Sequence, residues 1–347
     1  MNKSQNYFYK LKKCLVIAEI GVNHNGDMEL AKSMISEAKL AGADAVKFQS
    51  FTAKTLASKE TPKADYQKKQ IVVDESHYEM LQKLELSRED HLLLNDFCIK
   101  LDINFLSTPY DIESAKFLND EINVGLFKTA SADIVDLPLH KYIASTRKPV
   151  IISVGMASLG EIEEVTKIYQ SYESNDIILL HCVSSYPCEN ESINMEVMNT
   201  LAQVFQLPVG YSDHSVGPEA SILSIAYKAK VIEKHFTINK DLDGPDHIAS
   251  SNPDEFSRLV NSIRKAESII GNPIKTIQKE ELQMAKVSRK SMHFARDMIS
   301  GEILQKEDII LRRPGTGLCI SLLHHILGRK VNSFISKDSL VKFSDFS

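Results

Sequence analysis

The stretch 15–51 of this sequence reads LVIAEIGVNHNGDMELAKSMISEAKLAGADAVKFQSF. It begins with a short apolar run at residues 15–20 and ends with a second apolar run at residues 43–51. Between the two runs, apolar side chains recur at helical spacing, at Leu30, Ala31, Met34, Ile35 and Ala38. The stretch therefore predicts a strand, a helix and a second strand, which is one unit of an α/β fold.

The same alternation of strand and helix patterns continues along the chain to about residue 270. The predicted strands cover residues 15–20, 43–51, 104–107, 124–129, 150–154, 177–182, 207–211 and 231–236. The last helix has a clear start, because Asn252, Pro253 and Glu255 form a capping-box pattern. Eight strands, each followed by a helix, predict a (β/α)₈ TIM barrel, with an open doubly wound sheet as the alternative.

The composition is typical of a globular protein of the cell interior. Of the 347 residues, 43% are hydrophobic and 25% are charged, which is enough apolar material for a large core. The formal net charge of −5 gives no positive field for a phosphate backbone, so nucleic acid is not an expected partner. Five cysteines without a Cys-x-x-Cys pair indicate no disulfide framework and favour the cytoplasm. No apolar run approaches the roughly 18 residues of a membrane span.

The chain is longer than one barrel by roughly 60 to 80 residues, too few for a second large core. The turn signal Gly271-Asn272-Pro273 places the end of the barrel domain, residues 1–272, at this point. A polar linker is expected over residues 273–287, and a small mixed domain with little core of its own over residues 288–347. Residues 1–14 are interpreted as a frayed start before the first strand.

Polar residues occur where the predicted strands end, which is the rim that carries the reactive groups in barrels of this type. They are Glu19, Lys47, Gln49, Ser107, Thr108, Lys128, Ser131, Ser153, His181, Ser212, Asp213, His214, Glu233 and His235, with Ser212, Asp213 and His214 following the seventh strand. Taken alone, His181 or Glu233 is more typical of a satisfied core group. As a set, these residues predict a polar site at the barrel mouth, because ionised groups are rarely buried unless paired or used.

Two of these residues, Lys47 and Lys128, are cations that would point into the same mouth. A lysine ammonium suits a phosphate or a carboxylate, and the nearby hydroxyl groups would add neutral donors around that anion. Two alternatives stay open at this point. The lysines could form ion pairs with Glu19 or Asp133, or one of them could form a Schiff base with a carbonyl substrate.

His214 and His235 belong to adjacent strands, the seventh and the eighth. Imidazole nitrogens combined with oxygen ligands suit a divalent first-row metal such as Mn²⁺. Two histidines alone also fit a general acid/base pair or a structural role. Two long loops, 52–76 with the run Pro62-Lys63-Ala64-Asp65-Tyr66-Gln67 and 237–251 with Asp243-Gly244-Pro245-Asp246-His247, are expected to be lids over this mouth.

Several motifs in order resemble those of the sialic acid (N-acetylneuraminate) synthases, over nearly the whole chain. The motifs are Ala18-Glu19-Ile20-Gly21-Val22-Asn23-His24-Asn25-Gly26, Val46-Lys47-Phe48-Gln49, Ser107-Thr108-Pro109, Gly210-Tyr211-Ser212-Asp213-His214, Glu233-Lys234-His235-Phe236-Thr237 and Gly244-Pro245-Asp246-His247. The resemblance implies an enzyme that condenses phosphoenolpyruvate with an N-acylated hexosamine to a nine-carbon 2-keto acid.

The resemblance also implies roles for individual residues. The implied phosphoenolpyruvate-binding residues are Lys47, Thr108, Lys128, Ser131, Ser153 and Ser212. The implied metal ligands are His214 and His235, for Mn²⁺ or alternatively Mg²⁺ or Co²⁺. The implied sugar-side residues are Glu19, Gln49, Tyr186, Asp246 and Arg313. Of these, Glu19, Lys47, Lys128, His214 and His235 are expected to be catalytic.

The C-terminal run Arg312-Arg313-Pro314-Gly315-Thr316-Gly317 resembles the turn of the antifreeze-like (SAF) domain that these synthases carry. The resemblance implies a homodimer in which this domain is swapped, so that Arg313 reaches the barrel of the partner.

Departures from the family pattern leave the sugar open. Ser184-Ser185-Tyr186-Pro187-Cys188 differs from many members among the sugar-side positions, and Ser131-Ala132-Asp133 stands where many have Ser-Gly-Glu. N-acetylmannosamine and a diacetamido analogue, as in legionaminate synthesis, are both expected candidates. A Schiff-base aldolase and a non-enzymatic carbohydrate or ice binder are the alternatives from other classes; the second would not need charged groups at so many strand ends.

Overall fold

A computed structural model describes residues 6–62 and 76–347 of the chain. The chain divides into two compact units, Met1–Gly271 and Asn272–Ser347. Each unit has a cluster of buried apolar residues.

The first unit is built on a sheet of eight parallel strands. They are β1 (Leu15–Gly21), β2 (Ala45–Ser50), β3 (Asn104–Pro109), β4 (Phe127–Thr129), β5 (Val150–Ser153), β6 (Ile177–Cys182), β7 (Val209–Asp213) and β8 (Val231–His235). The order is β3-β2-β1-β8-β7-β6-β5-β4, and the two end strands, β3 and β4, also contact each other. Because the first strand pairs with the eighth, the sheet curls into a nearly closed barrel. The TIM barrel prediction is confirmed, and the doubly wound alternative is wrong.

Two strand ends differ from the prediction in ways that matter for the site. Strand β7 continues through Asp213, which pairs with Lys234 of β8, so Ser212 and Asp213 lie in the strand instead of following it. Strand β4 begins at Phe127, three residues later than predicted. The reason is that the backbone N–H of Val124 bonds to the carbonyl of Leu118, which ties Val124 to the end of the preceding helix.

Helices connect successive strands and cover the barrel. They are α1 (Met28–Leu40), α2 (Ala53–Leu56), α3 (His77–Leu84), α4 (Arg88–Lys100), α5 (Ile112–Asp120), α6 (Leu137–Ser145), α7 (Leu159–Ser171), α8 (Asn190–Ile193), α9 (Val197–Phe205), α10 (Glu219–Ala226) and α11 (Pro253–Ile270). The predicted capping box of α11 is confirmed, since Asn252 accepts from the backbone of Glu255 and Glu255 bonds back to Asn252. Among the described residues, no helix is both long enough and apolar enough to span a membrane.

The segment before β1 closes the lower end of the barrel. Residues Tyr7–Lys10 form a 3₁₀ helix, and the side chain of Phe8 is fully buried among apolar residues of the barrel interior. The amide of Asn6 donates to the carbonyls of Asn175 and Ile177, at 2.8 and 3.1 Å. The interpretation of a frayed start is therefore wrong for residues 6–14, because the burial of Phe8 and the hydrogen bonds of Asn6 hold this segment against the barrel.

The second unit contains α12 (Glu281–Ser288) and an antiparallel pair of strands, β9 (Ser291–Phe294) and β10 (Ile309–Arg312). Its buried cluster consists of Met292, Phe294, Met298, Leu304, Ile326, Val331, Val341 and Phe346. The expectation of little core is wrong, because apolar residues spaced widely along the sequence converge on the strand pair.

Replacing Phe8 by Ala should test this closure. A buried Phe→Ala change costs about 3–5 kcal/mol, so the free energy of unfolding of the first unit should fall by that amount. Tyr7→Ala serves as the control, because Tyr7 is partly exposed, and it should cost about 1 kcal/mol or less. Chemical denaturation followed by circular dichroism gives both free energies of unfolding. Equal decreases in the two variants would contradict the closure of the barrel by Phe8.

Candidate active site

A cavity of about 440 Å³ opens at the carboxyl ends of the barrel strands. Its lining includes every residue of the first unit to which the resemblance assigns a role, namely Glu19, Lys47, Gln49, Thr108, Lys128, Ser131, Ser153, Tyr186, Ser212, His214, His235 and Asp246. Arg313 belongs to the second unit, and its place in a partner's site stays a prediction.

Four buried charges of alternating sign form the floor of this cavity. The Lys47 ammonium lies 2.7 Å from a Glu19 oxygen and 3.9 Å from a Glu233 oxygen. The Lys128 ammonium lies 3.7 Å from the other Glu233 oxygen. Each of the four residues is at most 5% exposed. The ion pair considered above between Lys47 and Glu19 is therefore present, whereas Lys128 is close to Glu233.

Hydroxyl groups surround the two lysines. Lys47 donates to Thr108 Oγ1 at 2.9 Å, and Lys128 donates to Ser153 Oγ at 2.7 Å. Ser212 Oγ donates to Glu233 at 3.1 Å. Because a bound anion could take over these hydroxyl donors, the arrangement provides two cations and several neutral donors at one place.

The loop after β5 needs a glycine at position 155 to approach Ser131, another hydroxyl residue of the cavity lining. The Gly155 backbone N–H donates to Ser131 Oγ at 2.9 Å. A Cβ atom at position 155 would lie 2.6 Å from the Cys182 sulfur and 2.8 Å from Ser184 Oγ, closer than atoms can pack. The absence of a side chain therefore lets the backbone approach Ser131, which is also 3.0 Å from Cys182 Sγ.

The two floor carboxyl groups have different protonation behaviour. Burial raises the pKa of Glu19 to about 7, although the nearby Lys47 opposes the shift. Burial alone would also raise the pKa of Glu233, but Lys128 and Lys47 together lower it to about 2. Burial lowers the pKa of Lys128. Glu233 is thus a fixed negative charge, while Glu19 can exchange a proton near neutral pH, the pattern expected of an acid/base group.

The two histidines lie side by side, with ring centroids 5.6 Å apart. His214 Nδ1 is 2.8 Å from the carbonyl of Val183, so a proton placed there leaves Nε2 as an acceptor. His235 Nδ1 has no hydrogen-bond partner within the described residues and lies 4.0 Å from an Asp246 oxygen. Burial lowers the pKa of both imidazoles, which keeps them neutral and able to bind a metal.

The donor set fits a divalent cation with open positions. Two neutral imidazoles, one of them with an unsatisfied buried nitrogen, are the donors that first-row metals accept. Within residues 6–62 and 76–347, no group of three His, Cys, Asp or Glu residues is arranged to hold a metal. Water or substrate oxygens would therefore have to complete the coordination.

The sugar-side residues of the first unit, Glu19, Gln49, Tyr186 and Asp246, all line the cavity. Gln49 donates to Glu19 at 3.2 Å, and the ring of Tyr186 lies 4.1 Å from that of His214. Asp246 is buried, and burial raises its pKa to about 6. It belongs to the predicted second lid, which contributes Pro245 and Asp246 to the lining.

The first predicted lid is only partly described. Its residues Leu56, Ala57 and Thr61 line the cavity, whereas most of its quoted run falls in 63–75, outside the described residues.

The structure separates the strand-end residues that the sequence grouped together. His181 bonds through Nε2 to the carbonyl of Ile193 and does not line the cavity, which agrees with a structural role. Asp213 also points away from the cavity. Glu233, by contrast, forms part of the floor.

Sequence reasoning missed the apolar wall of the cavity and one tyrosine. The wall consists of Val22, Leu56, Met80, Leu81 and Leu84. Val22 belongs to a quoted motif and Leu56 to the predicted first lid, but no motif covers the three residues of α3, which lies in the connection between β2 and β3. Tyr110 also lines the cavity, and its position directly after Thr108-Pro109 was an available signal.

Comparison with known proteins gives consistent matches. The sequence matches the NeuB family over residues 34–275 and the SAF domain over residues 289–347. It is 45% identical to the N,N'-diacetyllegionaminic acid synthase of Legionella pneumophila over 93% of this chain and 92% of that protein. It is 32% identical to the human N-acetylneuraminate-9-phosphate synthase, over 94% of this chain and 91% of that protein.

Solved structures agree in fold. The crystal structure of the N-acetylneuraminic acid synthetase of Leptospira borgpetersenii, in complex with citrate, matches with a TM-score of 0.71 and 35% identity. The match covers 79% of this chain and 90% of that one.

The cavity floor should bind inorganic phosphate. Phosphate at 100 times its dissociation constant would stabilise the folded protein by about 2.7 kcal/mol and raise its melting temperature. Lys128→Met should lose most of this shift, because one of the two cations is gone. Lys167→Met is the control, since Lys167 forms an exposed ion pair with Glu163 on α7. Calorimetry with and without phosphate measures the shift, and an undiminished shift in Lys128→Met would contradict the anion site.

Proposed function

The chain belongs to the NeuB family, and on that basis we propose that it condenses phosphoenolpyruvate with an N-acylated hexosamine. The products are a nine-carbon 2-keto acid sugar and inorganic phosphate. The observation that carries the proposal is the pair of buried lysines, Lys47 and Lys128, ringed by hydroxyl groups at the cavity floor.

Phosphoenolpyruvate is the anion proposed for this floor. Its phosphate and carboxylate would take the ammonium groups of Lys47 and Lys128 and the hydroxyls of Thr108, Ser131, Ser153 and Ser212. These groups are fixed before the substrate arrives, so they neutralise its charge with little reorganisation. Glu233, held ionised between the lysines, acts to raise the pKa of both and so opposes the effect of burial.

His214 and His235 are proposed to hold a divalent metal, Mn²⁺ or alternatively Mg²⁺ or Co²⁺. When bound, the metal would supply Lewis-acid polarisation of the open-chain sugar's aldehyde oxygen. Gln49, Tyr186 and Asp246 would bind the sugar hydroxyls and acyl group around that aldehyde. Their presence in the same cavity lining as His214 and His235 supports this assignment.

The proposed reaction forms one carbon–carbon bond and one carbon–oxygen bond, and it breaks the bond between C2 and the phosphate oxygen. C3 of phosphoenolpyruvate attacks the aldehyde carbon, and the aldehyde oxygen takes up a proton to become a hydroxyl. Water adds to C2 and gives up one proton, which balances the proton taken up by the aldehyde oxygen. The tetrahedral intermediate then expels phosphate together with the second proton of the water and leaves a keto group. Glu19, with a pKa of about 7, is proposed to accept the proton of the water.

The sugar is assigned as a class, with legionaminate synthesis as an equally supported alternative. N-acetylmannosamine would use only the polar side of the mouth. A diacetamido analogue would also use the apolar wall, with Met80 and Leu84, where the methyl of its second acetyl group would be buried.

A homodimer is part of the proposal. The SAF domain match and the turn around Arg313 support a partner chain whose second unit completes each site. The proposed location is the cytoplasm.

Phosphate release from phosphoenolpyruvate tests the function directly. The protein with Mn²⁺ should release phosphate only when an N-acylated mannose-type sugar is added, and the sugar with the highest kcat/KM identifies the substrate. The panel should contain N-acetylmannosamine, N-acetylglucosamine and the diacetamido analogue. Absence of release with every sugar would overturn the proposal.

His235→Ala should abolish metal-dependent turnover. The reason is that one of the two proposed ligands is lost, so the cation would no longer be held beside the aldehyde oxygen. His181→Gln is the matched control, because His181 is a buried histidine outside the cavity, and it should keep activity. Full activity of His235→Ala with chelator present, or borohydride trapping of pyruvate on Lys47 or Lys128, would instead indicate the Schiff-base aldolase.

A further inference from the structure

Behind the two histidines lies a buried ion pair that the proposed mechanism does not use. The ammonium of Lys234 is 2.9 Å from an Asp213 oxygen, and the two side chains are 4% and 0% exposed. Along β8, Lys234 stands between Glu233 and His235, which line the cavity, and Asp213 stands between Ser212 and His214, which also line it. Since side chains alternate along a strand, the pair lies on the outer face of the barrel wall.

The pair also fixes the backbone on both sides of His214. The carboxylate of Asp213 accepts from the backbone N–H of Ser215 at 2.9 Å and from its hydroxyl at 2.6 Å. Lys234 donates to the carbonyl of Ser215 at 2.9 Å. Ser221 of α10 donates to the same carboxylate at 2.5 Å. The residues directly before and after His214 are thus tied to the residue directly before His235.

Stability alone does not account for this pair. Removing two charges from water costs about as much as their attraction returns, so apolar residues of similar volume would stabilise the barrel equally well. The partly exposed pair of Asp44 and Arg264, near the opposite end of the strands, shows that charges can join elements of this unit without full burial. What the buried pair adds is directional hydrogen bonding across β7 and β8 at the level of the two imidazoles.

We propose that Asp213 and Lys234 are positioning residues that hold the imidazoles of His214 and His235 at the separation required to bind one divalent cation. This inference rests on the proposed function, because the cation is the divalent metal proposed for that reaction. The ring of His214 is further fixed by the Val183 carbonyl, so its remaining freedom is in the backbone that the pair controls.

The test uses the charge-balanced double variant Asp213→Asn/Lys234→Met in the full-length protein. Removing both charges together avoids an unpaired buried ion, so the variant should fold with a melting temperature close to that of the wild type. Its affinity for Mn²⁺, measured without substrates by electron paramagnetic resonance of the free ion, should fall about 10- to 100-fold. Turnover should fall by a similar factor, with the KM for phosphoenolpyruvate little changed.

Asp44→Asn/Arg264→Met is the matched control, because it removes another ion pair of the same unit, away from the cavity. It should lower the melting temperature while leaving the Mn²⁺ affinity unchanged. Wild-type Mn²⁺ affinity in the Asp213→Asn/Lys234→Met variant would overturn the positioning role and leave the proposed function intact. Failure of the wild-type protein itself to bind Mn²⁺ would overturn the positioning role together with the metal site.

Discussion

The structure depends on one electrostatic constraint, which is that the lysines at the barrel mouth can be buried only together with carboxylates. Lys47 lies between Glu19 and Glu233, Lys128 lies on the other side of Glu233, and all four side chains are buried. Either sign alone would be too costly to bury. The barrel satisfies the constraint because β1, β2, β4 and β8 deliver their carboxyl ends to the same rim. The raised pKa of Glu19, which burial sets against the nearby Lys47, follows from this arrangement, and the proposed binding of an anion rests on it.

Much of the fold was predictable because its signals are local. The strand at Leu15–Gly21 and the capping box at the start of α11 each depend on residues close together in the sequence, and the structure confirms both. In barrels of this type the reactive groups lie at the carboxyl ends of the strands, and this alone predicted that Lys47, Lys128, His214 and His235 meet at one mouth. The closure of the barrel followed from the count of strands, since eight parallel strands with crossover helices have few other arrangements.

The parts that sequence reasoning missed depend on contacts between distant segments. Phe8 is buried against residues that come from strands along the whole first unit. The local sequence of residues 1–14 therefore gives no signal for this burial. Met80 and Leu84 belong to an amphipathic helix pattern that is equally typical of an ordinary core helix. The outward direction of Asp213 could not be predicted while it was expected to follow β7. The structure continues β7 through Asp213, and because side chains alternate along a strand, Asp213 faces away from Ser212.

The docking of Phe8 also has a consequence for how the chain acquires its structure during synthesis. The cavity that receives Phe8 is lined by Ile17 and Ala45 near the start of the chain, but also by Ile178 and Val231. During synthesis, residues 6–14 therefore have no complete binding site until more than two hundred further residues have followed them. Until then Phe8 remains in water, and the barrel is sealed from below only after its eighth strand has joined the sheet.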